Sequence, residues 1–167
     1  MRSLLVSFVL ALGSLAQPVV GQDTPVVVEL YTSQGCSSCP PADALMHELA
    51  GRDDVIALAM HVDYWDYIGW KDPFGNPAHA DRQRAYAAEG NRRTIYTPEM
   101  VVQGVTDIVG TKPMKLAEAI AAHARMAPKV QLDLGREGDV LTISAQALAA
   151  LPRDMAVYVL RYTPHQT

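Results

Sequence analysis

The sequence holds only two cysteines in 167 residues, and only 19% of it is charged. A disulfide-dense miniprotein is thereby excluded, and so is a chain kept unfolded by its own charge. No apolar stretch reaches the roughly 20 residues needed to cross a bilayer as a helix. Basic residues are the minority, 14 against 18 acidic, and at a net charge of −4 the molecule repels phosphate backbones, which argues against nucleic acid as a partner. No Walker loop, GxGxxG segment or Ser/His/Asp spacing gives a nucleotide or hydrolase reading a starting point. What is there is 49% apolar, the profile of one ordinary globular domain. Such a chain buries roughly two thirds of its unfolded surface without help from metals or cross-links. The single Cys pair is informative for that reason.

Met1-Arg2, the apolar run Leu4 to Leu12 and small-residue sites at Ser14-Leu15-Ala16 or Val19-Val20-Gly21 read as a secretory signal over residues 1–21, cleaved after 16 or 21. Gly13, Ser14, Gln17 and Pro18 end the run too early for a membrane anchor. Cleavage removes one positive charge, giving −5, and implies a secreted or periplasmic location in which disulfides persist, with no stable membrane insertion.

Residues 22–128 read as one compact domain. Val26 to Tyr31 is a near-continuous apolar run, the mark of a strand covered on both faces, and Thr32 to Gly35 is turn chemistry leading straight into Cys36-Ser37-Ser38-Cys39. Ala42 to Ala50 predicts an amphipathic helix with Leu45, Met46 and Leu49 on one stripe, and Val55 to Val62 a second buried strand. Together they form a right-handed βαβ unit with the CxxC at the carboxyl edge of its first strand, where open α/β sheets keep their sites. Residues 64–78 read as an insertion and His79 to Glu89 as a helix. Met100 to Gln103 and Thr106 to Val109, split by Gly104, predict a hairpin, and Pro113 to Ala127 predicts a final helix. Residues 129–167 form a β-rich extension with strand-like runs Val130 to Leu134, Val140 to Ala145 and Met155 to Tyr162.

Val28 to Asp43 (VELYTSQGCSSCPPAD), His61 to Asp66 (HVDYWD), Gly69-Trp70-Lys71-Asp72, Asp81-Arg82-Gln83 and Thr97 to Gly104 (TPEMVVQG) resemble the secreted thioredoxin-like family called domain of unknown function 1223. The resemblance implies an α/β thioredoxin-like core, βαβ then ββα around a mixed sheet, followed by an all-β tail. Family members carry more C-terminal β structure than this chain, which suggests a shortened final module.

A disulfide across CxxC closes a ring of about four residues and stabilises by only about 2 kcal/mol, against about 3 for a 15-residue loop, so it is a weak staple. Its spacing does let two sulfurs interconvert between dithiol and disulfide with little backbone movement. The resemblance implies that Cys36 is the attacking thiolate and Cys39 the resolving thiol. A helix start would lower the pKa of Cys36 from about 8.5 into the range of about 3.5 to 7.5. Pro40-Pro41 weaken this step: Pro40 pushes Cys39 out of the α region, and the helix begins near Cys39 or Pro40 with Cys36 upstream in a turn. Three readings stand: a redox-active pair, which spacing and compartment favour, a permanently oxidised structural disulfide, and a metal site. Zinc lacks ligands, since the five His form no HxxxH pair and there is no second CxxC. Two-thiolate Cu(I) binding is chemically reasonable. No cofactor is expected.

Glu29, the lone charge in its strand, is expected either to be protonated and relay a proton to Cys39 or to meet an Arg on a covering helix. His61 and Asp63 close the second strand on one face, tuning the thiol, binding substrate or pairing with each other. Tyr64, Trp65, Tyr67, Trp70 and Phe74 hold five of the eleven aromatics; they form a recognition wall beside the sulfurs or pack the insertion. Thr97-Pro98 resembles the cis-Pro that faces the disulfide in thioredoxin folds, which implies that Pro98 presents substrate to the backbone of Thr97. Arg82, Arg84, Arg92 and Arg93 read as a solvated face. The expected activity is thiol–disulfide exchange with protein or small-molecule thiols, with a non-catalytic binding module as the alternative.

Overall fold

The computed structural model describes residues 24–151 and 155–163, so the expected signal segment lies outside the described residues. The elements are β1 (Val26–Thr32), α1 (Pro40–Leu49), β2 (Val55–His61), a 3₁₀ turn (Asp66–Ile68), α2 (Pro77–Glu89), β3 (Glu99–Val102), β4 (Thr106–Val109), α3 (Pro113–Ala124), β5 (Val130–Glu137) and β6 (Val140–Ala147). Four strands form a mixed sheet in the order β2-β1-β3-β4, and β5 and β6 form a separate two-stranded sheet. β1 pairs parallel with β2, Val26 opposite Val55 through Thr32 opposite His61, and antiparallel with β3, Tyr31 opposite Glu99.

β1 is central and therefore covered on both faces, which is why its sequence lacks the alternation of a half-exposed strand. Val26, Val28 and Leu30 pack with Ala42, Met46 and Leu49 of α1 and Leu116 and Ile120 of α3. Tyr31 turns to the other face, where Leu58, Met60, Val101, Ala80 and Tyr86 form a second core under α2.

Several boundaries differ from expectation. α2 starts at Pro77 rather than His79, because Asn76 caps it, its side chain accepting the Ala78 N–H at 3.0 Å, and proline fits a first turn. α3 ends at Ala124 rather than Ala127, since Pro128 disfavours helical backbone before it. The run Met155 to Tyr162 is not a strand: its described residues join no ladder and are exposed, and apolar alternation without a partner backbone does not make a sheet. β5 and β6 extend beyond their predicted runs to Glu137 and Ala147 because their antiparallel pairing continues to the Gly138 turn and to Val130.

Candidate functional site at the Cys36–Cys39 disulfide

Cys36 and Cys39 are joined by a disulfide, their Cα atoms 5.4 Å apart. The bond sits between the carboxyl end of β1 and the first turn of α1. The Cys36 N–H donates to the Ser33 carbonyl at 3.0 Å and the Cys39 N–H to the Cys36 carbonyl at 3.2 Å, two turns in succession. Cys39 has helical backbone (φ −79°, ψ −31°), so Pro40 does not push it out of the α region as expected. Its carbonyl accepts the N–H groups of Ala42 and Asp43 at 2.8 and 3.0 Å, and these bonds hold it as the helix cap. With prolines at the first two helical positions, those two N–H groups are spent on Cys39 and the first turn has little left to offer a thiolate at Cys36. Cys36 is 3% exposed and Cys39 fully buried, whereas Ser37 and Ser38 between them are exposed.

The cysteine loop is clamped on both sides. Thr32 donates its hydroxyl to Asp43 of α1 at 2.7 Å, tying the strand end to the helix. On the other side, residues 64–78 fold against the loop. A Cβ at Gly35 would lie 3.1 Å from both Trp65 Cβ and Ile68 Cδ1, so the segment packs closely on the backbone beside Cys36. Trp70 Nε1 donates to Gln34 at 2.9 Å, and the Gln34 N–H donates to Asp72 at 2.8 Å. Trp65 Nε1 donates to the hydroxyl of Thr97 at 2.8 Å, linking the segment to the residue before Pro98. The aromatic group therefore divides: Trp65 packs, while Tyr67 and Trp70 are largely exposed, 80% and 59%.

The Thr97–Pro98 bond is cis. Pro98 is buried and close to the first turn of α1: a Cβ at Gly110 would lie 2.9 Å from Pro98 Cβ and 3.0 Å from Ala42 Cβ, so both flank one glycine. The Gly110 N–H donates to the Pro98 carbonyl at 2.9 Å. Cys39, three residues before Ala42, and Pro98 thus lie at the same end of α1.

Glu29 is not a proton relay to Cys39. It shares the α2 face of the sheet with Tyr31, whereas α1, capped by Cys39, covers the opposite face. Both carboxylate oxygens accept from Arg82 of α2, at 2.7 and 2.8 Å, and the hydroxyls of Tyr31 and Tyr86 donate as well. Burial pushes the Glu29 pKa up, but Arg82 and the two tyrosines outweigh it and hold the group below the usual carboxylate range. Arg82 is accordingly an ion-pair partner rather than part of a solvated face. Arg92 likewise reaches the buried Glu99, 2.6 Å between Nη1 and Oε1. His61 pairs with Asp72 at 2.7 Å rather than with Asp63, whose carbonyl instead accepts the Asp66 N–H at 3.0 Å.

Sequence reasoning gave no role to Asp72, Asp43 or Gln34. Their signal was present: Asp72 closes the Gly69-Trp70-Lys71-Asp72 motif and Asp43 closes the motif that contains both cysteines. Among the described residues no group of three or more His, Cys, Asp or Glu is arranged to hold a metal ion, and no helix is long and apolar enough to cross a membrane.

A crystal structure of a protein from Agrobacterium tumefaciens is similar to this chain at 34% identity and a TM-score of 0.65, over 72% of this chain and 55% of the other. The chain thus spans just over half the length of that relative. No curated protein matches. A family model described as "Protein of unknown function (DUF1223)" matches residues 27–167, and the chain belongs to that family.

Proposed function

We propose that the chain is a secreted or periplasmic thiol–disulfide oxidoreductase whose four-stranded sheet and three helices make a thioredoxin-like core, acting on protein or small-molecule thiols and disulfides. The observation that carries this reading is the placement of the Cys36–Cys39 disulfide at the carboxyl edge of β1, at the same end of α1 as Pro98. A weak staple closing so short a ring contributes more as an electron carrier than as a cross-link. Cys36 attacks, being the one of the two sulfur-bearing residues that reaches solvent at all, and Cys39 resolves. Thr97, His61 and Trp70 are the substrate contacts, and Trp65 holds Thr97 in position.

One observation favours a second reading, a binding module with a structural disulfide: at 3% and 0% exposure the pair is nearly closed to solvent. Titration of the disulfide against glutathione with alkylation trapping separates the two. An exchanger is expected between about −120 and −270 mV, whereas a potential below about −300 mV marks the structural bond.

A further inference from the structure

One titratable pair beside the cysteine loop has no proton-transfer role in the scheme above, although His61 is a contact there. His61 ends β2, and Asp72 sits in the segment folded against the loop, its side chain 1% exposed. Asp72 Oδ2 accepts from His61 Nδ1 at 2.7 Å and from the Gln34 N–H at 2.8 Å, while Oδ1 accepts the Phe74 N–H at 2.9 Å. Burial pushes the Asp72 pKa up, but His61 and the two backbone donors outweigh it and keep the group ionised well below neutral pH. An ionised carboxylate only accepts, so the proton of the neutral imidazole lies on Nδ1 and Nε2 keeps its lone pair. The ring, 21% exposed and edge-on to Phe74 at 5.3 Å, lines a groove of about 1050 Å³ that Gln34, two residues before Cys36, also lines.

We infer that His61, oriented by Asp72, takes the proton from the thiol that attacks the Cys36–Cys39 disulfide; this rests on the exchange reading above. Nε2 accepts the proton of the incoming thiol, and the sulfur's electron pair forms the new bond to Cys36 Sγ. The Cys36–Cys39 bond breaks with its electron pair on Cys39 Sγ, leaving Cys39 as a thiolate and the proton on His61. The substrate thiol is the reductant and the protein disulfide the oxidant, and the reverse sequence returns both. Asp72 is a positioning residue. It fixes the tautomer, and through one oxygen it ties the imidazole to the backbone of the cysteine loop.

The other charged or titratable side chains on the groove are Asp43 and His47 of α1, His79 and Arg82 of α2, and Tyr158, Arg161 and Tyr162 near the C-terminus. Asp43 is bonded to Thr32, Arg82 to Glu29, and His79 through Nδ1 to the His61 carbonyl. His61 is the ring on this groove that is bonded to a buried carboxylate.

The test is the rate at which glutathione reduces the disulfide of the full chain, followed by alkylation trapping across about pH 5 to 9, in wild type, His61→Gln and Asp72→Asn. At neutral pH the His61→Gln rate is expected to fall about 100-fold, within the range for loss of a general base, with a smaller loss in Asp72→Asn. The His61→Gln profile should follow the glutathione thiolate alone. The equilibrium potential should not move in either variant, because a base speeds both directions alike. A wild-type rate and profile in His61→Gln overturn the inference and leave the exchange reading standing. A shift in potential that accounts for the rate change also overturns it, by showing a structural role. A wild-type disulfide that does not exchange with glutathione fails the exchange reading and the inference with it. Should His61→Gln not fold, Asp72→Asn decides by the same two readouts.

Discussion

Glu29 and Glu99 both point at α2 and are 2% and 0% exposed, yet they answer pH with opposite sign. Glu29 is held below the usual carboxylate range by Arg82, so its contribution to stability is complete above its unfolded value of about 4.3 and is lost as pH falls through the lower folded value. Glu99 is pushed up. Burial dominates there and outweighs the lowering by Gln83 and by Arg92, whose Nη1 lies 2.6 Å from Oε1. Its contribution is present below about 4.3 and is lost as pH rises through the raised folded value. Glu29→Gln leaves Arg82 half-buried without its counter-charge and is expected to cost about 3–5 kcal/mol in urea unfolding at pH 7. The same variant should lose less at low pH, where wild-type Glu29 is itself protonated. Equal losses at acid and neutral pH would contradict the charged assignment.

At the level of elements, the helix that carries Cys39 begins with two prolines, and the cost falls on electrostatics rather than on folding. Pro40 and Pro41 suit a first turn but supply no N–H, so the positive end of α1 is weakened where it faces Cys36. Pro41→Ala restores one donor. The reduced variant is expected to alkylate at Cys36 about two- to five-fold faster than wild type near neutral pH, as iodoacetamide kinetics would measure, which corresponds to 0.3–1 kcal/mol of dipole interaction. An unchanged rate would mean that the first turn does not act on this thiol. β1, β2, the β3–β4 hairpin and α1 were legible from apolar runs and turn residues, since local pattern and final burial agree there. The start of α2 was less so: it is set by the Asn76 cap and Pro77, polar and turn-like residues at the end of the 64–78 segment that an apolar periodicity does not register.

Across the whole molecule, apolar surface is concentrated in the C-terminal part. On the β5–β6 hairpin Leu132, Leu134, Val140 and Leu141 are 50–71% exposed, and Val157 to Leu160 follow without joining a sheet. Exposed apolar strands of this kind are association surfaces. Replacing Leu134 and Val140 together by Lys is expected to change unfolding free energy by no more than about 0.5 kcal/mol per site while lowering concentration-dependent association in sedimentation. A large loss of stability would instead show that the hairpin packs on a core. The sequence by itself determined the alternation of strands and helices, the position of CxxC at a strand end and the residues of each motif, because these follow from local periodicity and turn chemistry. Only the tertiary structure decided which motif residues meet: Glu29 with Arg82, Thr32 with Asp43, His61 with Asp72, Trp65 with Thr97. A side chain's partner depends on which face of the sheet it occupies and on what packs over that face, and the pattern of a single strand carries neither.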